Sequence, residues 1–115
     1  MTSDDCVDLP HATPVSRPAV SIAVRERAAR MLSAAGEPSR LALLELLDER
    51  ELCVSELVAL TNDPMPTVSQ RLRVLKTEGL LRSRRDGKHV FYTLADAHVR
   101  ALLTNILRHA AEPAV

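Results

Sequence analysis

The sequence predicts a mainly helical α+β fold, with five helices and a single β-hairpin between the fourth and the fifth. Apolar residues recur at helical spacing in five segments, and one stretch of strand-forming residues contains an Asp-Gly turn. Although 46% of the residues are hydrophobic, Phe91 and Tyr92 are the only aromatic ones. The core is therefore expected to consist of aliphatic side chains, which suit helix packing, and a helical homodimer would enlarge it.

The first 19 residues are expected to form a flexible N-terminal arm, and residues 20–115 a single domain. Three prolines lie among polar residues in the arm, which is typical of an extended and mobile segment. The first helix is expected to begin near Val20 and to end near Gly36, because apolar residues between these positions fall on one helical face.

Two further helices are predicted in the middle of the chain. Glu37, Pro38 and Ser39 start the second helix, whose leucines cover much of its circumference, and this helix is expected to end near Arg50. The segment ELCVSEL is expected to open the third helix, which ends at Asn62.

The fourth helix has a clear start and a clear end in the sequence. Asp63 is expected to cap it, with Pro64 as its first residue and Pro66 within the first turn, where a missing N–H costs little. Gly79 stops it. Its inward face is expected to carry Val68, Leu72 and Leu75.

The hairpin and the fifth helix complete the domain. Residues 80–94, LLRSRRDGKHVFYTL, predict two strands joined at Asp86 and Gly87. A last helix is expected from Asp96 to about Ala111, since a broad apolar stripe runs along it at helical spacing.

Basic residues concentrate on the fourth helix and the hairpin. From Arg71 to Lys88 there are seven basic and two acidic residues, a local charge of +5 in a chain whose net charge is zero. The resulting positive surface suits phosphate contacts, and the order helix, turn, helix, hairpin fits the winged helix-turn-helix plan of DNA-binding proteins. An amphipathic surface helix would also explain the fourth helix, and the residues alone leave both readings open.

The candidate DNA-binding residues follow from this plan. Hydroxyl, amide and guanidinium groups in the first half of the fourth helix can address base edges, while the later basic residues can contact phosphates. The candidates are Thr67, Ser69, Gln70, Arg71, Arg73 and Lys76 on the helix, and Arg82, Arg84, Arg85 and Lys88 on the hairpin. The predicted partner is double-stranded DNA.

The fifth helix carries four residues that zinc accepts as ligands: Asp96, His98, His109 and Glu112. The two histidines are 11 residues apart, so they share one helix face but lie about 16 Å from each other. One straight helix cannot bring both to one ion, whereas two antiparallel copies in a dimer can, which creates two symmetric sites. The residues alone also allow that all four are simply solvated.

The segments ELCVSEL, VSQRLRVLKTEGLL and RRDGKHVFYTL, together with the final helix, resemble the ArsR/SmtB family of metal-sensing winged-helix repressors. The resemblance covers roughly residues 20–112. The last helix matches the zinc-sensor pattern of the family, which is Asp, one residue, His, ten residues, His, two residues and Glu.

This resemblance implies a mode of action. A homodimer would pair through its N- and C-terminal helices, bind an inverted-repeat operator without metal, and release it when zinc binds at the paired C-terminal helices. Genes for metal efflux or sequestration would then be expressed. Nickel and cobalt sensors of the family often carry extra histidines near the end, where this chain has Glu112, which favours zinc.

A second metal site is also implied by the resemblance. Cys53 and Glu56 would form it with Cys6 and His11 on the arm of the other protomer. Ser55 stands where cadmium and lead sensors have a second cysteine, which weakens those two assignments. Cys53 could instead be a small buried hydrophobe, and Cys6 an idle thiol.

Other classes of protein fit less well. Two cysteines are too few for a disulfide scaffold, and no secretory or membrane segment is evident, so the cytosol is expected. The chain has no nucleophile motif, phosphate loop or HExxH pair, which argues against an enzyme and against a small organic substrate. The alternatives that stay open are a metal-independent regulator of this fold, a sensor of cobalt, cadmium or nickel, and a metal-buffering protein that does not bind DNA.

Overall fold

The computed structural model describes residues 19–114, which form five helices and a three-stranded antiparallel sheet. The five helices and the hairpin that the sequence predicted are confirmed, whereas the predicted arm lies outside the described residues apart from Ala19. The elements are α1 (Ile22–Ala35), α2 (Pro38–Leu46), β1 (Leu52–Cys53), α3 (Val54–Thr61), α4 (Met65–Thr77), β2 (Leu81–Asp86), β3 (His89–Leu94) and α5 (Ala97–Ala111).

Polar side chains close the corner between α1 and α2. The Glu37 carboxylate accepts hydrogen bonds from the backbone N–H groups of Ser39 and Arg40 at 3.1 and 3.0 Å. These bonds lower the pKa of Glu37, and the bond from Ser39 has the largest effect. Arg40 donates from Nε to the carbonyl oxygen of Ala34 at 2.7 Å, which satisfies a carbonyl that the end of α1 leaves without a helical partner.

The second helix is shorter than predicted. It ends at Leu46 rather than near Arg50, because the chain turns at residues 47–49 and Glu49 adopts a left-handed φ of 61°, which a right-handed helix cannot include. Nε of Arg50 donates to the carbonyl oxygen of Leu46 at 3.0 Å. Residues 47–51 link α2 to β1 and are called the connector below.

A short strand, β1, stands where the sequence predicted the first residues of the third helix. Leu52 pairs with Tyr92 and Cys53 with Phe91, both on β3, so α3 begins only at Val54. The segment is extended because it pairs with a strand far along the chain, which local periodicity does not show. In the sheet, β3 lies between β1 and β2.

The start of α4 differs by one residue from the prediction. Pro64 occupies the N-cap position with extended backbone, and Met65 is the first helical residue. Asp63 makes no cap; its carboxylate instead accepts a hydrogen bond from Arg71, a guanidinium that competes successfully with the backbone N–H groups.

The hairpin turn is also displaced by one residue. Asp86 is the last residue of β2 and pairs with His89, so Gly87 and Lys88 form the two-residue loop rather than Asp86 and Gly87. Gly87 has a φ of 62°, a conformation that glycine adopts without steric cost and that suits the first residue of a tight hairpin loop.

The core lies between α2, α3, α4 and the base of the sheet. It is mostly leucine; the largest fully buried side chains are Leu43, Leu44, Leu47, Leu57, Leu72, Leu75, Leu80 and Val68. The outer helices, α1 and α5, bury fewer residues. Ala34 is buried in α1, and Val99 and Leu103 are buried in α5. Both helices keep large apolar side chains about half exposed or more, namely Ile22, Val24, Leu32, Leu102 and Ile106.

Candidate DNA-binding surface and metal-ligand pairs

Helices α3 and α4 form a helix-turn-helix unit. Asn62 ends α3 in the left-handed conformation, with a φ of 61°, and α4 begins three residues later. One face of α4 enters the core through Val68, Leu72 and Leu75. The predicted DNA-binding residues occupy the remaining faces: Gln70, Arg73 and Lys76 are exposed, whereas Thr67, Ser69 and Arg71 are half-buried.

Two arginines of α4 are held by neighbouring side chains. Nη1 of Arg71 donates to Oδ2 of Asp63 at 2.7 Å, which draws the guanidinium back toward the start of the helix. Nη1 of Arg73 donates to Oε1 of Gln70 at 2.9 Å, one turn earlier. The guanidinium groups of Arg71 and Arg73 are thus each oriented by a contact within the protein.

The wing, which comprises β2, β3 and their loop, carries the other predicted basic residues. Arg82, Arg84, Arg85 and Lys88 are all exposed. Because side chains alternate along a strand, Arg82 and Arg84 share one face of β2 while Arg85 lies on the other. Lys88 lies in the loop at the wing tip, and Arg85 lies two residues before the loop.

Arg84 is fixed to the connector. Its Nε and Nη2 donate to the two carboxylate oxygens of Glu51 at 2.8 and 2.7 Å, and its Cζ lies 4.9 Å from the centroid of the Phe91 ring. The hydrogen bonds from Arg84 lower the pKa of the Glu51 carboxyl, and the same contact raises the pKa of Arg84. Sequence reasoning missed Glu51, because 33 residues separate it from Arg84 and no local pattern signals the contact.

The four predicted zinc ligands form two pairs at opposite ends of α5. Nδ1 of His98 lies 3.7 Å from Oδ1 of Asp96, and Nδ1 of His109 lies 3.4 Å from Oε1 of Glu112. The imidazoles are 97% and 80% exposed. Asp96 also caps α5 by accepting a hydrogen bond from the N–H of Val99 at 3.0 Å, which lowers the pKa of Asp96.

The side chains of these pairs are of the types that bind zinc, but each pair supplies too few ligands for a complete site within one chain. Imidazole nitrogen and carboxylate oxygen are both zinc ligands, and each pair offers two of the four that a closed tetrahedral site needs. Within residues 19–114 no three histidine, cysteine, aspartate or glutamate side chains come close enough to hold a metal ion. A complete site therefore requires ligands from outside one copy of this stretch.

The residues predicted for the second metal site have structural partners. The backbone N–H of Cys53 donates to Oε1 of Glu56 at 2.9 Å, which lowers the pKa of Glu56 and closes the first turn of α3. Cys53 is 8% exposed, with its Sγ 3.2 Å from Oγ of Ser55. The other two predicted ligands, Cys6 and His11, lie outside the described residues.

An apolar groove runs between α1, α2 and α5. Its lining includes Leu32 and Leu41 on one side and Leu102 and Ile106 on the other. Leu32, Leu102 and Ile106 are 58%, 47% and 51% exposed, which is unusual for aliphatic side chains that lie together. In residues 19–114, no helix has both the length and the apolarity to cross a membrane.

Comparisons with known proteins agree with this geometry. The sequence model of a family described as "Bacterial regulatory protein, arsR family" matches residues 37–83, which extend from the cap of α2 into β2. The HTH-type transcriptional repressor SmtB of Mycobacterium tuberculosis is 37% identical over 92 residues, which are 80% of this chain and 68% of that protein. The transcriptional repressor SmtB homolog of Synechocystis is 36% identical over 106 residues, which are 92% of this chain and 80% of that protein.

A solved structure shows the same architecture. It is the homodimeric winged helix-turn-helix DNA-binding domain of a possible ArsR-family transcriptional regulator from Mycobacterium bovis. It matches with a TM-score of 0.74 and 29% sequence identity, over 82% of this chain and 90% of that one. The likeness extends beyond the helix-turn-helix unit to most of the fold.

Proposed function

Because the chain belongs to the ArsR family of winged-helix transcriptional regulators, which bind DNA and are not enzymes, we propose that it is a homodimeric repressor whose operator affinity falls when zinc binds. The observation that carries the zinc assignment is the pair of exposed imidazole–carboxylate groups at opposite ends of α5. Repression follows the two similar proteins named as SmtB repressors.

The exposed face of α4 and the wing form the proposed DNA-binding surface. Polar and basic groups on α4 suit the edges of bases in the major groove, and basic residues on the wing suit phosphates. Their charge is local, since the chain as a whole is neutral. We therefore assign base contacts to the first half of α4 and phosphate contacts to its later basic residues and to the wing.

The apolar groove supports a dimer through α1 and α5. Side chains such as Leu32, Leu102 and Ile106 gain most if a second copy covers them, because burial of aliphatic surface contributes about 25 cal/mol per Å². A two-fold axis perpendicular to α5 would place the two α5 helices antiparallel. The two α4 helices would then face successive major grooves of an inverted repeat.

Antiparallel α5 helices would also complete the metal sites. Asp96 and His98 of one copy would face His109 and Glu112 of the other, which gives four ligands at each of two equivalent sites. Zinc, when bound, supplies a cross-link between the two helices. Each imidazole binds through one nitrogen and keeps an N–H on the other, and for His109 we propose that this N–H transmits the restraint toward the DNA-binding surface.

Zinc can weaken operator binding only by a difference in affinity between two states of the dimer. The form that holds zinc more tightly must be the form that fits DNA less well, and the coupling is reciprocal. For typical coupling energies the operator affinity falls by about 5- to 150-fold. The regulated genes would be those for metal efflux or sequestration.

A zinc titration into the complex of the dimer with its operator tests the proposal. Fluorescence anisotropy of labelled operator should show a loss of affinity for the wild type and none for His98→Ala or His109→Ala. His89→Ala is the matched control, since His89 is an exposed imidazole on the wing, outside both pairs, and should keep the response. Equilibrium dialysis should give two zinc ions per dimer.

The alternatives give other results in the same assays. A metal-independent regulator would bind the operator and no zinc. A sensor of cobalt, cadmium or nickel would respond to that ion at lower free concentration than to zinc, and a metal buffer would bind zinc and no DNA. A loss of operator affinity with zinc that persists in His109→Ala would refute the assignment of the site.

A further inference from the structure

The side chain of Arg84 spans the three strands of the sheet. Its partner in the register is Phe91 on β3, and Phe91 is in turn the partner of Cys53 on β1. The paired residues Arg84, Phe91 and Cys53 lie on one face of the sheet, and Glu51 lies in the connector immediately before β1. The guanidinium passes over the Phe91 ring at 4.9 Å and reaches Glu51 through hydrogen bonds of 2.8 and 2.7 Å. One side chain thus joins the outer strand of the wing to the connector.

We infer that Arg84 is a positioning residue that anchors the wing through Glu51 and Phe91 and makes no phosphate contact, which leaves the DNA contacts of the wing to its tip. This inference rests on the proposed binding of operator DNA. It departs from the sequence prediction that Arg84 contacts DNA together with Arg85 and Lys88.

The charges around Arg84 support this role. Its planar guanidinium already binds the Glu51 carboxylate through two hydrogen bonds, from Nε and Nη2, a bidentate geometry that arginine favours. Oδ2 of Asp86 lies 3.9 Å from its Nη1, so Arg84 lies beside two carboxylates, and the positive charge of Arg82 also acts on Glu51. A phosphate that bound Arg84 would have to displace Glu51 and would then lie close to both carboxylates.

The tip of the wing differs from its middle. Among residues 19–114, neither Arg85 nor Lys88 takes part in an ion pair, and both are exposed. Their cationic groups can therefore approach phosphates without breaking an internal contact. Lys88 lies in the loop, and Arg85 lies one pair before the last pair of the hairpin, so both are near its tip.

An anchor is needed because the wing has little other support. Leu81 and Leu94 are buried at its base, and β1 pairs with β3 over two residues. Beyond Arg84 the chain from Arg85 to His89 is exposed. Arg84 lies in the middle of β2, and its link to Glu51 therefore sets the angle at which the wing tip meets DNA.

The test measures operator affinity at several salt concentrations for matched variants. Arg84→Ala, Arg84→Lys and Glu51→Gln should each weaken binding by a similar factor, about three- to thirtyfold, and the double variant Glu51→Gln/Arg84→Ala by no more than either alone. None of these should change the salt slope. Arg85→Ala and Lys88→Ala, the controls, should each lower the slope by about 1.8, because each removes one phosphate contact from each of the two protomers and each contact contributes about 0.9.

Several results would overturn the inference. If Arg84 bound phosphate, Arg84→Lys would keep most of the affinity, Arg84→Ala would lower the slope like the controls, and Glu51→Gln would tighten binding by removing a carboxylate near DNA. Circular dichroism at the assay temperature shows whether each variant is folded, and a purely structural contact would leave the affinity of the folded protein unchanged. If the tip controls also keep the wild-type slope, the proposed wing contacts fail as well, and the two failures are distinguishable.

Discussion

Asp63 holds Arg71 by a hydrogen bond of 2.7 Å, which ties the middle of α4 to the turn before it. The pair is partly shielded, with the Arg71 side chain 21% exposed. Since Asp63 precedes the helix, the guanidinium is drawn toward the end of α4 that is proposed to read bases. Asp63 is thus a partner of Arg71, a proposed DNA-binding residue, rather than a cap.

This arrangement predicts unequal effects of the two residues on DNA binding. Arg71→Ala should weaken operator binding by about 5- to 150-fold, because it removes the contact itself. Asp63→Ala should have a smaller effect, because it removes the orienting partner and also a carboxylate that repels phosphates. Anisotropy titrations on the operator measure both affinities, and equal losses would contradict the assignment of Arg71 to DNA.

The parts of the fold that sequence predicts correctly are those with local causes. Helices appear as apolar residues at helical spacing, and the Asp-Gly pair predicts the hairpin turn to within one residue of the observed loop, Gly87 and Lys88. Strand β1 has no such signal, because Leu52 and Cys53 are extended only through pairing with Tyr92 and Phe91. The apolar pattern of this strand continues without a break into α3, so the sequence predicted a helix where the strand lies.

The candidate site divides in the same way. Asp96 next to His98, and His109 one turn before Glu112, are neighbours by spacing alone, so the sequence places them in pairs. The contacts that determine how the arginines are oriented are not local: Asp63 is 8 residues from Arg71 and Glu51 is 33 from Arg84. Positive charge in the sequence therefore predicts where the DNA-binding surface lies but does not show which arginines are already paired.

Charging the apolar groove should dissociate the dimer. Ile106→Glu places a carboxylate where the proposed interface buries aliphatic surface, and an unpaired charge there carries a desolvation cost of several kcal/mol, about enough to abolish association. Sedimentation should then show a monomer, and anisotropy titration should show that this monomer has little affinity for the operator. Leu60→Glu is the control, since Leu60 is similarly exposed, at 53%, on α3; a dimer that survives Ile106→Glu would place the interface elsewhere.

Glu37 should make the fold less stable in acid. Its pKa is lowered in the folded chain by the N–H groups of Ser39 and Arg40, so the ionised form stabilises α2. That contribution is fully present above the ordinary value of 4.5 and disappears as the pH falls through the lower pKa of the folded state. Above pH 4.5 Glu37→Gln should have a lower melting temperature than the wild type. Below the lowered pKa of Glu37 in the folded chain, the two melting temperatures should become equal.

The control for this measurement lies on the same helix. Glu45 is exposed on α2 and makes no cap, so Glu45→Gln should leave the pH profile of the wild type almost unchanged. A difference between the wild type and Glu37→Gln that stays constant down to the acid limit would show that the charge of the cap does not stabilise the helix.

A hydrogen bond links α5 to the connector. Nε of Arg100 donates to Oδ1 of Asp48 at 2.8 Å, and Arg100 stands one turn after Asp96. The two side chains are 44% and 34% exposed, so their contribution to stability is small, about 1 kcal/mol or less. Their position matters more, because the connector continues into Glu51 and so reaches the wing.

Arg100→Ala should therefore weaken the effect of zinc on operator binding while the affinity of the zinc-free dimer stays nearly unchanged. Residues that couple two sites typically alter the coupling by about 2- to 30-fold, and Asp48→Ala should give the same loss, with no further loss in the double variant. Arg108→Ala is the matched control, an exposed arginine in the last turn of α5. Since zinc binding itself is measured separately by dialysis, a variant that binds zinc normally and still responds fully would show that α5 communicates with the DNA-binding surface by another route.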